Sequence, residues 1–215
     1  MQNITVIIPA HNEGLFIDKV LNIVKKNTLV NDIIVVDNLS TDDTAAVSKK
    51  CGARVVCCTD QGKGYAMETG LSEAKNEVIV FLDGDIINYS ENIISNLATP
   101  ILNDEADFIK STFDRASGRV TALVALPLIQ ILYPDIYPFS QPLSGIICGK
   151  KSFFNKLTFE KDYGVDIGIL LDMIKINARV LEVSIGKLEN NSQGWRALEK
   201  MAKEVAGAIL RRKGF

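Results

Sequence analysis

The sequence predicts an α/β domain with a mostly parallel central sheet and flanking helices. Three observations predict it. Short β-branched apolar runs alternate with segments of helical periodicity through the first 90 or so residues. The run ending at Leu82 is continuously apolar, as a strand covered on both faces is. The first, second and fourth runs each end in a polar cluster, and Gly62-Lys63-Gly64 follows the third. In a doubly wound sheet such clusters share the rim at which ligands bind.

The elements follow in order. Ile4-Thr5-Val6-Ile7-Ile8 is a strand ended by Pro9, and Ala10-His11-Asn12-Glu13-Gly14 is a polar loop. Phe16, Val20, Leu21 and Val24 recur at helical spacing and predict a helix over about 15–26. Asp32-Ile33-Ile34-Val35-Val36 is the second strand. It runs into Asp37-Asn38-Leu39-Ser40-Thr41-Asp42, where Ser40 or Thr41 is placed to cap a second helix ending near Cys51. The third strand, 54–58, precedes a helix over about 65–74. Val78-Ile79-Val80-Phe81-Leu82 then delivers Asp83-Gly84-Asp85.

The second half is less regular. Helices are predicted over 92–102, 165–177 and 195–212, with strands at 108–111, 145–149 and 180–184. An apolar helix over 118–132 is expected to bend or break at Pro127. Three prolines make 133–142 a loop or lid. No internal repeat, low-complexity tract or linker interrupts the chain, so residues 1–215 are read as one domain.

Composition narrows the function classes. Hydrophobic residues make up 47% and charged residues 23%, an ordinary globular balance. A net charge of −2 supplies no overall basic field to attract nucleic acid. Cys51, Cys57, Cys58 and Cys148 form neither a disulfide framework nor a zinc pattern, which points to a reduced, cytoplasmic setting. The opening residues lack a basic signal-peptide region. The apolar stretch 120–133 falls short of the ~20 residues that span a bilayer. Peripheral membrane contact stays open.

The clusters carry the chemistry. Asp83 and Asp85 offer hard oxygen donors at a strand end, with Gly84 between them admitting close approach. Taken alone, Asp-Gly is an ordinary turn dipeptide. Asp37 can accept from a base or ribose, or shape a turn. Lys63 between two glycines can meet phosphate as a point charge. The chain has no Walker loop and no Gly-rich dinucleotide fingerprint after its first strand. Arg119 and Thr121 start an apolar helix, where an anion or solvent suits them equally. Asp166, also at a helix start, can orient a hydroxyl or simply favour the helix dipole.

Taken in order, Val6-Ile7-Ile8-Pro9-Ala10-His11-Asn12-Glu13, Val35-Val36-Asp37-Asn38-Leu39-Ser40-Thr41-Asp42, Gly62-Lys63-Gly64 and Asp83-Gly84-Asp85 resemble the GT-A nucleotide-sugar glycosyltransferases, glycosyltransferase family 2 in particular. The resemblance implies a Rossmann-like nucleotide-diphospho-sugar transferase fold, with residues 1–90 as the nucleotide-sugar half and 91–215 as the acceptor half. It implies donor contacts from Pro9, Ala10, Asn12, Glu13, Asp37, Ser40, Lys63, Asp83, Gly84 and Gly145. Mg²⁺ or Mn²⁺ would bind at Asp83 and Asp85, with Asp85 and Asp166 in catalytic roles.

Gly118-Arg119-Val120-Thr121, Gln141-Pro142-Leu143-Ser144-Gly145 and Tyr163-Gly164-Val165-Asp166-Ile167-Gly168 further resemble the glucosyl-3-phosphoglycerate synthases. Those enzymes retain anomeric configuration, use UDP-glucose and a divalent metal, and bind acceptor phosphate and carboxylate on the segment matched by Arg119 and Thr121. Two positions depart from the pattern. Asn190 stands where the family places a metal-binding histidine and is expected to offer the cation a carbonyl oxygen; Ser192 stands where it has an acceptor-binding asparagine and is expected at the acceptor. The expected partners are a nucleotide-sugar donor and a small phosphorylated acceptor such as 3-phosphoglycerate, with a homodimer left open. The alternatives are transfer to a polyprenyl phosphate at a membrane surface and a degenerate sugar-nucleotide-binding module.

Overall fold

The computed structural model describes residues 3–114, 118–136, 139–188 and 194–215. Its strands are β1 (Ile4–Ala10), β2 (Val30–Asp37), β3 (Arg54–Cys57), β4 (Val78–Phe81), β5 (Phe108–Thr112), β6 (Ile147–Lys150) and β7 (Val180–Ser184). They form one sheet in the order β3-β2-β1-β4-β6-β5-β7. The first four are mutually parallel. β6 runs antiparallel between β4 and β5, and β7 lies parallel to β5. The sheet is therefore mostly parallel, as predicted. The reversal at β6 was not predicted, because a short apolar run looks the same in either direction.

The helices are α1 (Ile17–Val24), α2 (Thr44–Lys50), α3 (Lys63–Glu73), α4 (Ile93–Leu102), α5 (Leu126–Leu132), α6 (Lys151–Phe154), α7 (Val165–Lys175) and α8 (Trp195–Lys213). Side chains alternate across each strand. Val6 and Ile8 pack in one core with Val20, Leu21 and Val24 of α1 and Ile93, Ile94 and Leu97 of α4. Ile7 points the other way, into a core shared with Met67 and Leu71 of α3 and with Val165 and Ile169 of α7. Both faces are covered, which is why the strand runs are continuously apolar. Each such side chain contributes roughly 1.5–3 kcal/mol on burial. Phe81 and Phe108 meet the ring of Phe154 edge-on, at centroid distances of 5.5 and 6.0 Å, and so tie β4, β5 and α6 together.

Three local expectations change. Neither Ser40 nor Thr41 caps α2, whose cap position is Asp43 with no side-chain bond. Instead Asp42 Oδ1 accepts from the Thr44 N–H at 3.0 Å, and Asp42 Oδ2 accepts from Gly14 N–H at 3.0 Å. The apolar helix after Gly118 does not break at Pro127. Its irregularity comes earlier, as a π-helical turn at Thr121–Ala125. Pro127 follows that turn directly, inside one continuous helical run over 119–132: the Leu126 N–H already reaches back five residues to Thr121 O, and the widened turn makes room for the Pro127 ring and its missing N–H. The predicted strand at 145–149 begins later, at Ile147, which leaves Ser144 and Gly145 in the loop that faces the site. Among the described residues no helix is long and apolar enough to cross a membrane.

Candidate active site

Parallel pairing brings the ends of β1 and β2 level, with Ala10 opposite Asp37. Asn38 then locks three segments together. Its N–H donates to Ala10 O at 2.8 Å. Its amide donates to Asp60 O at 2.6 Å, and its Oδ1 accepts from Gly62 N–H at 2.9 Å. Sequence reasoning quoted Asn38 within a motif but gave it no role. A polar amide right after a buried strand was the available signal. Asn12 and Ser40 cross-brace the two loops: Asn12 N–H donates to Ser40 Oγ at 3.0 Å, and Asn12 Oδ1 accepts from Thr41 N–H at 2.8 Å. Both loops turn through left-handed residues, Asn12 at φ 59° and Leu39 at φ 62°. For leucine that conformation is strained, a feature that clusters at functional sites.

β4 delivers Asp83, Gly84 and Asp85 to this rim. The buried Tyr89 hydroxyl accepts from Asp83 N–H at 3.1 Å and lies 3.2 Å from Asp83 O, to which it donates. Burial and the nearby Asp83 charge push the Tyr89 phenol well above its usual pKa. Tyr89 was not foreseen, because a tyrosine eight positions after a strand has no sequence signature.

Glu13 faces the same carboxylates. Burial, then the charges of Asp85, Asp83 and Asp42, push its pKa up to about 7. Negative charge is thus crowded here, as a site that receives a cation requires. Among the described residues no three His, Cys, Asp or Glu side chains form a metal-holding cluster. Two hard carboxylates fit a cation that draws its remaining oxygens from water and a diphosphate.

Across the cavity, Lys63 gathers two carboxylates. Its ammonium donates to Asp166 Oδ2 at 2.9 Å and to Asp83 Oδ1 at 3.2 Å. Burial works against the Lys63 charge, but Asp166 and Asp83 outweigh it and hold its pKa above the lysine norm. Asp166 is 4% exposed, and its Oδ1 is buried without a hydrogen-bond partner. A Cβ at Gly145 would lie 2.2 Å from Lys63 Nζ and 2.7 Å from Asp83 Oδ1, so a side chain there would push the Lys63 ammonium out of the cluster.

Gly64 plays a different part from the one its motif suggested. A Cβ there would lie 1.7 Å from Glu160 O. The residue admits the backbone at Glu160, from the second half of the chain, rather than only freeing the loop for phosphate. Lys161 completes this contact, pairing with Glu68 at 2.7 Å and lying over the Tyr65 ring.

One cavity of about 710 Å³ spans both halves. Pro9, Ala10, Glu13, Lys63, Asp83, Gly84, Asp85, Arg119, Thr121, Gly145 and Asp166 line it, each named from sequence. Asn12, Asp37 and Ser40 do not line it; they form the cross-bracing behind its rim, where Asp37 Oδ1 accepts from Ser40 N–H at 3.3 Å. His11 lines the cavity and its Nδ1 lies 2.7 Å from Asn38 O, which requires the proton on Nδ1. Arg119 lies over the Trp195 ring at 4.5 Å from its centroid. Trp195, Lys200 and Glu204 of α8 were given no role from sequence, yet Lys200 and Glu204 form part of the cavity wall. Asn190 and Ser192 lie outside the described residues.

Comparison with known proteins agrees with this geometry. Glycosyl transferase family 2 matches residues 5–161. A glucosyl-3-phosphoglycerate synthase of Petrotoga mobilis is 31% identical, over 97% of this chain and 73% of its own length. That of Mycobacterium tuberculosis is 31% identical, over 100% of this chain and 74% of its own. A crystal structure of the M. tuberculosis synthase with Mn²⁺, UDP-glucose and phosphoglyceric acid superposes with a TM-score of 0.95 at 32% identity, covering 100% of this chain and 80% of that one. The same enzyme has been crystallised with Mg²⁺ and UDP.

Proposed function

The chain belongs to glycosyl transferase family 2 and is a glycosyltransferase of GT-A fold, and we propose that it moves glucose from UDP-glucose to 3-phosphoglycerate or a close phosphorylated analogue, with Mg²⁺ or Mn²⁺ at Asp83 and Asp85. The observation that carries this reading is the shared cavity: it sets Asp83, Asp85 and Lys63 in one space with Arg119, Thr121 and Asp166. The relatives that cover the whole chain favour the phosphorylated small acceptor over a polyprenyl phosphate. The presence of both Asp83 and Asp85 at the cavity weighs against a degenerate binding module.

When bound, the cation neutralises charge on the diphosphate as the nucleotide departs. Lys63 adds its ammonium from the other side. Arg119 and Thr121 hold the anionic groups of the acceptor. The Asp166 carboxylate accepts a hydrogen bond from the acceptor hydroxyl and aims it at the anomeric carbon. In the reaction the acceptor oxygen bonds to that carbon, the bond to the diphosphate oxygen breaks, and the hydroxyl proton leaves with the diphosphate. With the retention that the resemblance to the glucosyl-3-phosphoglycerate synthases implies, the reading is a same-face displacement. Catalysis then rests on positioning and electrostatics.

The test is a donor screen with UDP- and GDP-sugars, with and without 3-phosphoglycerate, following nucleotide release. UDP-glucose with 3-phosphoglycerate and Mg²⁺ or Mn²⁺ is expected to give the fastest release. EDTA or Asp85→Ala should abolish it, and activity that survives both contradicts the metal role. Arg119→Ala should raise the acceptor KM about 10- to 100-fold, the worth of a charged hydrogen bond. An unchanged acceptor KM overturns that assignment.

A further inference from the structure

Lys110 is a charged side chain with 0% exposure, in the middle of β5. It shares a strand face with Phe108, two positions before it. Phe108 packs into the core with Val165 and Ile167 of α7. Lys110 thus points from the sheet into the apolar layer beneath the start of α7. There its ammonium donates to the Asp166 backbone carbonyl at 3.0 Å. Among the described residues no carboxylate pairs with it directly. Glu182, opposite it on β7, is engaged by the Ser140 N–H at 2.9 Å. Burial pulls the Lys110 pKa down to about 8, with Asp166 opposing and Lys63 adding to the fall. A methionine would fill this space with no desolvation penalty. An unpaired buried ammonium kept at such expense of stability marks a functional position.

Charge accounting at the site gives the reason. Lys63 is shared between Asp83 and Asp166. On the function proposed above, the donor diphosphate also draws on Lys63. Asp166 is 4% exposed, with one oxygen already unpartnered, so it would lose part of its only ion pair among the described residues. Lys110 is the other cation beneath it. We propose that Lys110 is a positioning residue: it acts as the fixed counter-charge of Asp166 and holds the first turn of α7, so that Lys63 can turn to the donor without displacing the Asp166 carboxylate. Lys110 is fully buried and is not among the residues that line the cavity. It acts through Asp166.

This inference rests on the proposed transferase reading, and its test separates the two. Lys110→Met in the full chain should melt at the wild-type temperature or above, because a buried charge is gone. It should bind UDP with Mn²⁺ and keep its UDP-glucose KM within about twofold, while kcat falls about 10- to 100-fold. A purely structural lysine would give a lower melting temperature with kcat retained. Lys110→Gln keeps a donor for the Asp166 carbonyl but no charge, and it should lose kcat alike. Asp166→Asn and the double variant Lys110→Met/Asp166→Asn should be equally slow, because one acts through the other.

A folded Lys110→Met or Lys110→Gln with kcat within about twofold of wild type overturns the proposal. So do effects that multiply in the double variant. If the wild-type chain turns over no nucleotide sugar, the transferase reading fails, and Lys110 is judged on melting alone: a fall in Lys110→Met refutes the functional placement of its charge.

Discussion

Lys63 and Asp166 stand 103 residues apart in sequence, yet the Lys63 ammonium donates to Asp166 Oδ2 at 2.9 Å. The bond joins the first and second halves of the chain, on the proposed function at the point where the two substrates would meet. Its geometry depends on α3 lying against the backbone at Glu160, on Gly145 leaving room, and on α7 starting where Lys110 holds it.

Lys63→Met removes the cation from two carboxylates at once. Breaking a buried pair from one side leaves the other charge uncompensated, at roughly 3–5 kcal/mol. Lys63 keeps 18% of its side chain exposed, which trims the effect toward the lower figure. Thermal melts should show the loss, and calorimetric titration should show weaker UDP binding. A variant as stable as wild type would mean the pair is not a structural link.

Tyr89→Phe deletes one hydroxyl and leaves both the Asp83 N–H and C=O without their partner. Unsatisfied buried groups cost about 1–3 kcal/mol. The variant should melt lower and need more Mn²⁺ for half-maximal turnover, since Asp83 is no longer held. Unchanged Mn²⁺ dependence would confine Tyr89 to a structural role.

Gly64→Ala should destabilise, although helix propensity alone would favour alanine inside α3 by about 1 kcal/mol. The added Cβ would lie 1.7 Å from Glu160 O, and that backbone cannot rotate away as a side chain can. Overpacking of this kind costs typically 1–3 kcal/mol or more. Denaturant unfolding decides the sign. Net stabilisation would show that the loop at Glu160 moves freely.

Glu13 sets a pH dependence. Its folded pKa, near 7, lies above the ordinary carboxylate value, so the folded chain binds this proton more tightly than the unfolded one. The associated stability is present at low pH and is lost as pH rises toward and through 7. Glu13→Gln removes the effect. In EDTA, the stability advantage of Glu13→Gln should grow from pH 5 to pH 8, by on the order of 2 kcal/mol after allowing for partial exposure. Mn²⁺ should shrink it by neutralising Asp83 and Asp85. An advantage that does not vary with pH contradicts the crowding.

Much of the nucleotide half was legible in sequence because its signals are local. Strand runs, helix periodicity and turn residues recur within ten or so positions. Parallel βαβ connection then brings the strand ends to one rim, so Glu13, Asp83 and Asp85 could be grouped before any coordinates. The same reasoning did not foresee the bracing of the rim, where the Ser40 and Asp37 side chains accept from the Asn12 and Ser40 backbone N–H groups.

Sequence alone thus determined the α/β class, most element positions and the identity of Lys63, Asp83, Asp85, Arg119 and Asp166 as residues to watch. Only the tertiary structure decided what each one meets. The antiparallel entry of β6, the seating of α3 against Glu160, the clamp of Tyr89 on Asp83 and the burial of Lys110 under Asp166 left no readable periodic trace. Periodicity records which face of an element is buried, whereas a contact such as Lys63 to Asp166 is set by how separate elements pack. A lysine in an apolar strand reads as an exception until its partner, 56 residues away, is in place.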